Sequence, residues 1–110
     1  MAQASRTFAS IANGRVQVPP GVIVRQVADE SVILNLETEH YFGLDPVGRR
    51  VLEALTDSRD VRSAVATLIR EFEVDEPTLQ RDVIDLVTDL EEHGLVTLSG
   101  TEPGEESGQG

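Results

Sequence analysis

Ser31-Val-Ile-Leu-Asn-Leu-Glu-Thr-Glu-His-Tyr-Phe-Gly-Leu-Asp-Pro46 is the stretch on which the fold turns. Its first six residues, Ser31 to Leu36, read as a strand with Val32, Leu34 and Leu36 on one face. Glu37-Thr38-Glu39 turns the chain, and His40-Tyr-Phe-Gly-Leu44 forms the next strand. Asp45-Pro46 then opens a helix, because an Asp accepts hydrogen bonds from orphan backbone donors and Pro fits the first helical turn. Upstream, the β-branched run Val22 to Val27 is a strand joined to Ser31 through Ala28-Asp29-Glu30. Connections this short make hairpins rather than crossovers, so the three strands form an antiparallel meander.

Three helices follow. Val47, Val51 and Leu55, with Leu52 and Ala54 beside them, carry the first helix to about Leu55. Asp60 caps the second, whose stripe is Val61, Val65, Leu68, Ile69 and Phe72. Asp75 caps the third, Pro77 fits its first turn, and the apolar rhythm runs to a glycine stop at His93-Gly94. Leu95 to Leu98 read either as a short strand or as a segment packed back on the sheet. Strands followed by helices imply an α+β fold, not a parallel α/β sheet. At the ends, residues 1–14 read as a loosely ordered arm, with a short strand near Phe8 to Ile11 as the other reading. Arg15 to Val18 alternate as a short strand, and residues 99–110 read as a disordered acidic tail beyond a domain spanning 15–98.

Composition narrows the function. The 110 residues carry a net charge of −11, from 20 acids and 9 bases. Only Glu102, Glu105 and Glu106 of those acids lie in the tail, so the folded part is acidic as well. Nucleic-acid binding draws on Lys and Arg, so DNA is a poor partner and a basic partner a better one. The chain has no cysteine, which excludes disulfides, thiolate metal sites and thiol catalysis. No run approaches the length of a membrane span or a signal peptide, so the expected location is the cytoplasm, with no membrane partner.

Chemistry has few places to reside. His40 and His93 lie far apart in sequence, and His93 near a helix C-terminus suits the dipole there. Asp82, Asp85, Asp89, Glu91 and Glu92 spread over about half the circumference of the third helix. That spread describes a solvated face, not a converging metal site; Asp82, Asp85 and Asp89 share a side that would suit a lysine of a partner. No phosphate loop, nucleophile elbow or zinc-protease motif is present. We therefore expect no catalytic residue, no cofactor and no metal.

The architecture offers a binding edge instead. The third strand has no Lys or Pro to blunt it, and Gly43 lets another backbone approach. On the third helix Leu79, Val83, Ile84, Leu86, Val87 and Leu90 span from about −20° to about +140°. This arc exceeds the roughly 100° a surface helix needs, which leaves part of it to line a groove or to be covered by two neighbours. The expected mode is an extended peptide added to the edge. Its contacts would be Glu39, His40, Tyr41, Phe42, Gly43 and Leu44 on the strand. On the helix they would be Leu79, Asp82, Val83, Leu86, Val87 and Leu90.

Leu34-Asn-Leu-Glu-Thr-Glu-His-Tyr-Phe-Gly-Leu-Asp-Pro-Val-Gly48 resembles the PqqD-like proteins. Their pattern is an apolar strand, a turn often reading Thr-Gly, two aromatics, Leu-Asn, and a helix containing a small residue. Tyr41 and Phe42 match the aromatics, Leu44-Asp45 matches Leu-Asn, and Gly48 is the small residue. Glu39 departs from the turn glycine. The likeness extends over about residues 20 to 98, through Gly94-Leu95-Val96. It implies a winged-helix-like RiPP recognition element, which binds the leader of a ribosomally synthesised precursor peptide between strand three and helix three. Val18-Pro-Pro-Gly-Val22 and Leu44 to Gly48 look most like the standalone lasso-peptide version. Its implied partners are the precursor leader and a leader peptidase of transglutaminase-like fold, or another modifying enzyme. Two other readings stand beside it. One is a PqqD-like peptide chaperone for a radical enzyme. The other is a winged-helix transcription regulator, which needs a basic recognition helix, whereas the third helix has Arg81 as its one base.

Overall fold

The computed structural model describes residues 6–100. In chain order its elements are α1 (Phe8–Ile11), β1 (Arg15–Gln17), β2 (Val22–Val27), β3 (Glu30–Asn35) and β4 (Tyr41–Leu44). Then follow α2 (Pro46–Asp57), α3 (Val61–Glu71), α4 (Glu76–Glu92) and β5 (Thr97–Ser99). The fold is α+β, a three-stranded antiparallel meander β2-β3-β4 followed by helices, as the pattern implied.

The hairpins differ in detail from the expected turns. Val27 pairs with Glu30, so Ala28 and Asp29 alone make the first turn, with Ala28 at φ 57. The second connection runs from Leu36 to His40 and is built around Asn35. The Asn35 side-chain oxygen accepts from the N–H groups of Glu37 and Thr38, and its carbonyl accepts from Glu39 N–H at 2.7 Å.

The faces of β3 need a correction. Val32 and Leu34 do share a face, but it points away from the helices, and Leu36 is 55% exposed. The inward face is Ser31 and Ile33, both buried. Three apolar residues in a row cannot reveal which parity is inward. A serine at an inward position hides it further. Ser31 is satisfied there because Arg49 Nη1 donates to its hydroxyl at 2.7 Å.

Helix starts follow the capping residues. Asp45, Asp60 and Asp75 accept from the N–H groups of Gly48, Ser63 and Thr78. α2 runs two residues beyond Leu55, and Val47 on its first turn is exposed, not part of its buried stripe. α4 ends at Glu92 with His93 as its C-cap, followed by Gly94 at φ 71, the left-handed stop expected there. The core gathers Ile33 and Leu44 from the sheet with Val51, Leu52, Leu55, Val65, Leu68, Val83, Val87 and Leu90 from the helices.

The ends of the domain are tied together. Within the segment read as a loose arm, residues 8–11 are helical, not a strand. Thr7 caps α1, and Ile11 and Ala12 are buried. One turn of helix is too short to show a period, which is why the sequence does not announce it. Arg6 reaches α4, where it pairs with Glu91 at 2.6 Å and donates to Thr88. β1 pairs with β5 as a separate two-stranded ribbon, so the C-terminal strand does not join the meander and extends to Ser99. The expected acidic tail, apart from Ser99 and Gly100, lies outside the described residues.

Candidate functional site

β4 is an edge. It pairs with β3 on one side, Leu34 with Tyr41 through Ser31 with Leu44, and among the described residues no strand pairs with it on the other. The ladder fixes which groups face the vacancy. Asn35 N–H donates to His40 O at 2.9 Å. Bonded and non-bonded pairs alternate in an antiparallel ladder, so Ile33–Phe42 and Ser31–Leu44 exchange bonds like Asn35–His40. Tyr41 and Gly43 therefore aim their N–H and C=O groups outward.

Side chains on β4 alternate as well. Phe42 is half-buried and Leu44 buried toward the helices, while Tyr41 is 66% exposed on the outer face beside Leu34. Glu39 and His40 are exposed at the start of the strand.

α4 meets the sheet at its C-terminal end. The His93 ring lies 5.8 Å from that of Phe42 and 6.1 Å from that of His40. Asn35 donates to Gly94 O at 2.9 Å. His93 Nδ1 sits 2.8 Å from Asp89 O and is the donor, since a carbonyl can only accept. The two histidines, distant in sequence, are thus neighbours. Among the described residues neither ring is bonded to a carboxylate or hydroxyl, so this is a packing cluster that joins the start of β4 to the C-terminal end of α4.

The helix wall is narrower than expected. Leu79, Val83, Val87 and Leu90 are at most 3% exposed and belong to the core, so they present no surface to a ligand in this structure. Ile84 shares the flank of Thr88 and Glu91, the side of α4 that Arg6 reaches. The opposite flank carries His93, and Leu86, Asp82 and Asp89 lie within about 60° of it on the wheel. Leu86 is half-buried and Asp82 exposed. Of the six helix residues expected at the site, Leu86 and Asp82 are the two that retain accessible surface. Asp82, Asp85 and Asp89 have no ion-pair partner among the described residues.

A second concavity, not legible in the sequence, lies between the β2–β3 hairpin and α2, lined by Gln26, Asp29, Ser31, Pro46, Arg49, Arg50 and Glu53. Its cations are engaged: Arg49 with Ser31 and Glu53, Arg50 with Glu53 and, through two hydrogen bonds, Glu71. The hydrogen bonds from Arg50 hold Glu71 below the usual carboxylate range and raise the guanidinium in turn. Among the described residues no group of three or more His, Asp or Glu is placed to hold a metal ion, and no helix is long and apolar enough to cross a membrane.

Residues 30–96 match the family model of Coenzyme PQQ synthesis protein D (PqqD), a span that contains the edge strand, its turn and all of α4. The chain belongs to the PqqD family. Two solved structures resemble this PqqD-family chain along nearly their whole length. One is described as "TbiB1 in Complex with the TbiA(beta) Leader Peptide", with 34% identity and a TM-score of 0.66 over 78% of this chain and 98% of that one. The other, "Lasso peptide synthetase B1 complexed with the leader peptide", has 25% identity and a TM-score of 0.68 over 76% and 98%. No curated protein matches the sequence. These likenesses agree with a lasso-type PqqD-like domain and do not favour the transcription-regulator reading.

Proposed function

We propose that this PqqD-family chain is a non-catalytic domain that binds the leader of a ribosomally synthesised precursor peptide in lasso-peptide biosynthesis. The leader adds to β4 as a strand, and the domain delivers it to a leader peptidase or another modifying enzyme in the cytoplasm. The observation that carries this reading is the open edge of β4, where Tyr41 and Gly43 turn outward backbone groups that pair with no strand among the described residues. Strand addition satisfies those groups and sets the register of the bound peptide. Two similar structures described as leader-peptide complexes support the same use of the fold. The contacts expected of this chain are His40 through Leu44 along the strand, with Glu39 at its entry, and Leu86 and Asp82 on the helix.

Fluorescence polarisation with labelled TbiA(beta) leader, run beside labelled duplex DNA, tests the proposal. Saturable leader binding without DNA binding at physiological salt is expected. The reverse result would return the chain to the regulator class. Tyr41→Pro removes an N–H that β3 does not use, so the variant should keep its circular dichroism and cooperative melting while losing the leader. A variant that folds and binds normally rejects β4 as the docking edge. Wild type that elutes as a dimer, turned monomer by the same change, assigns the edge to a second copy of the chain.

A further inference from the structure

α4 is held from three sides. Taking Leu79 as zero, its core residues Val83, Val87 and Leu90 fall between about 20° and about 80° around the axis. Thr88 and Glu91 fall at about 180° and about 120°, and Leu86 and His93 at about 340° and about 320°. The core stripe is therefore the line on which the helix rests, with one flank on either side of it. Each flank of the last turns has its own anchor outside the helix. On one, His93 meets Phe42 and His40 at the start of β4, and Asn35 donates to Gly94 O. On the other, Arg6 pairs with Glu91 at 2.6 Å and donates to Thr88 Oγ1 at 3.2 Å.

The Arg6 anchor is more than a solvated ion pair. The Arg6 and Glu91 side chains are only 34% and 27% exposed. The segment behind Arg6 is fixed at several points. Thr7 caps α1, Ile11 and Ala12 are buried, and α1 packs against α4. Ala12 O and Gly14 O accept from the N–H groups of Arg62 and Val61, which ties the arm to the start of α3. Freely exposed pairs contribute little to stability. This pair joins two elements that are each fixed elsewhere, so it constrains how one sits on the other.

We infer that Arg6 is a positioning residue for leader binding: its clasp on Thr88 and Glu91 sets the roll of α4 on its core stripe, and with it where Leu86 and His93 sit relative to β4. This rests on strand addition at β4. A helix moves as a rigid element, so a roll that lowers the Arg6 flank raises the Leu86 flank, and the reverse. The coupling runs both ways. A leader that selects one roll of α4 also favours the clasp that sets it.

The test is fluorescence polarisation of labelled TbiA(beta) leader with the full chain as wild type, Arg6→Gln, Glu91→Gln, and Arg6→Glu combined with Glu91→Arg. Circular dichroism and urea melting accompany each protein. Arg6→Gln and Glu91→Gln, still folded, should each weaken leader binding by about threefold to tenfold. The reversed pair should recover most of that loss. A merely structural clasp would lower the urea midpoint and leave the affinity of the folded protein unchanged; that outcome overturns the inference while strand addition stands. Amide exchange gives a second readout in the unaltered chain. Leader binding should slow the Ser10 and Gly14 amides, which are bonded to Thr7 O and Ile11 O within the arm. No change at those amides overturns the coupling. If Tyr41→Pro binds as wild type does, or wild type binds no leader, strand addition fails and the role of Arg6 with it.

Discussion

Glu39 holds φ 67 in the turn before β4, the position where PqqD-like sequences often carry glycine. An L side chain in the left-handed region costs roughly 1–2 kcal/mol, partly offset because glycine loses more entropy on folding. Glu39→Gly should therefore stabilise the domain by about 0.5–1 kcal/mol, read as a higher urea midpoint at unchanged slope. The sequence pattern exposed this departure because turn chemistry is local. Ser31 shows the opposite case. Its burial depends on Arg49, eighteen residues away, so no local pattern announces that β3 turns Ser31 and Ile33 inward and Val32 and Leu34 outward.

The elements of the meander and the three long helices were legible because each is punctuated: Asp caps at 45, 60 and 75, prolines in the first turns of α2 and α4, a glycine after α4. The division of α4 between core and groove was not. A wide apolar arc records how much of a helix is covered, not which neighbour covers it. The flanks are assigned by tertiary contacts, Arg6 with Thr88 and Glu91 on one side and His93 with Phe42 on the other. Two substitutions separate the roles. Val83→Asp puts a carboxylate at a position with no exposure and should cost on the order of 3 kcal/mol or more, collapsing the melting transition. Leu86→Ala should keep most of the stability and weaken leader binding instead. Equal loss of binding and of folding in Leu86→Ala would return Leu86 to the core.

At the scale of the whole molecule, the β1–β5 ribbon and the Arg6 contact with α4 join the ends of the described chain. A four-residue helix and two three-residue strands carry too little period to be foreseen as such a closure. The overall acidity was legible, and it sets the pH response. Asp60 is held below its ordinary value chiefly by the Ser63 backbone N–H, and Glu71 by hydrogen bonds from Arg50. Both are lowered in the folded state, so their contribution is fully present above the ordinary carboxylate values and is lost as pH falls through the lower folded ones. Urea midpoints should hold steady near neutrality and drop in acid, and the drop should be smaller in Asp60→Asn and Glu71→Gln. A midpoint that rises in acid contradicts the assignment.

Amide hydrogen exchange along β4, with and without a bound leader peptide, tests the open edge most directly. Free, the amides of Phe42 and Leu44 should exchange slowly while those of Tyr41 and Gly43 exchange fast. With the leader bound, all four should be slow. Tyr41 and Gly43 amides already protected in the free chain, or left unchanged by the leader, would contradict strand addition at β4.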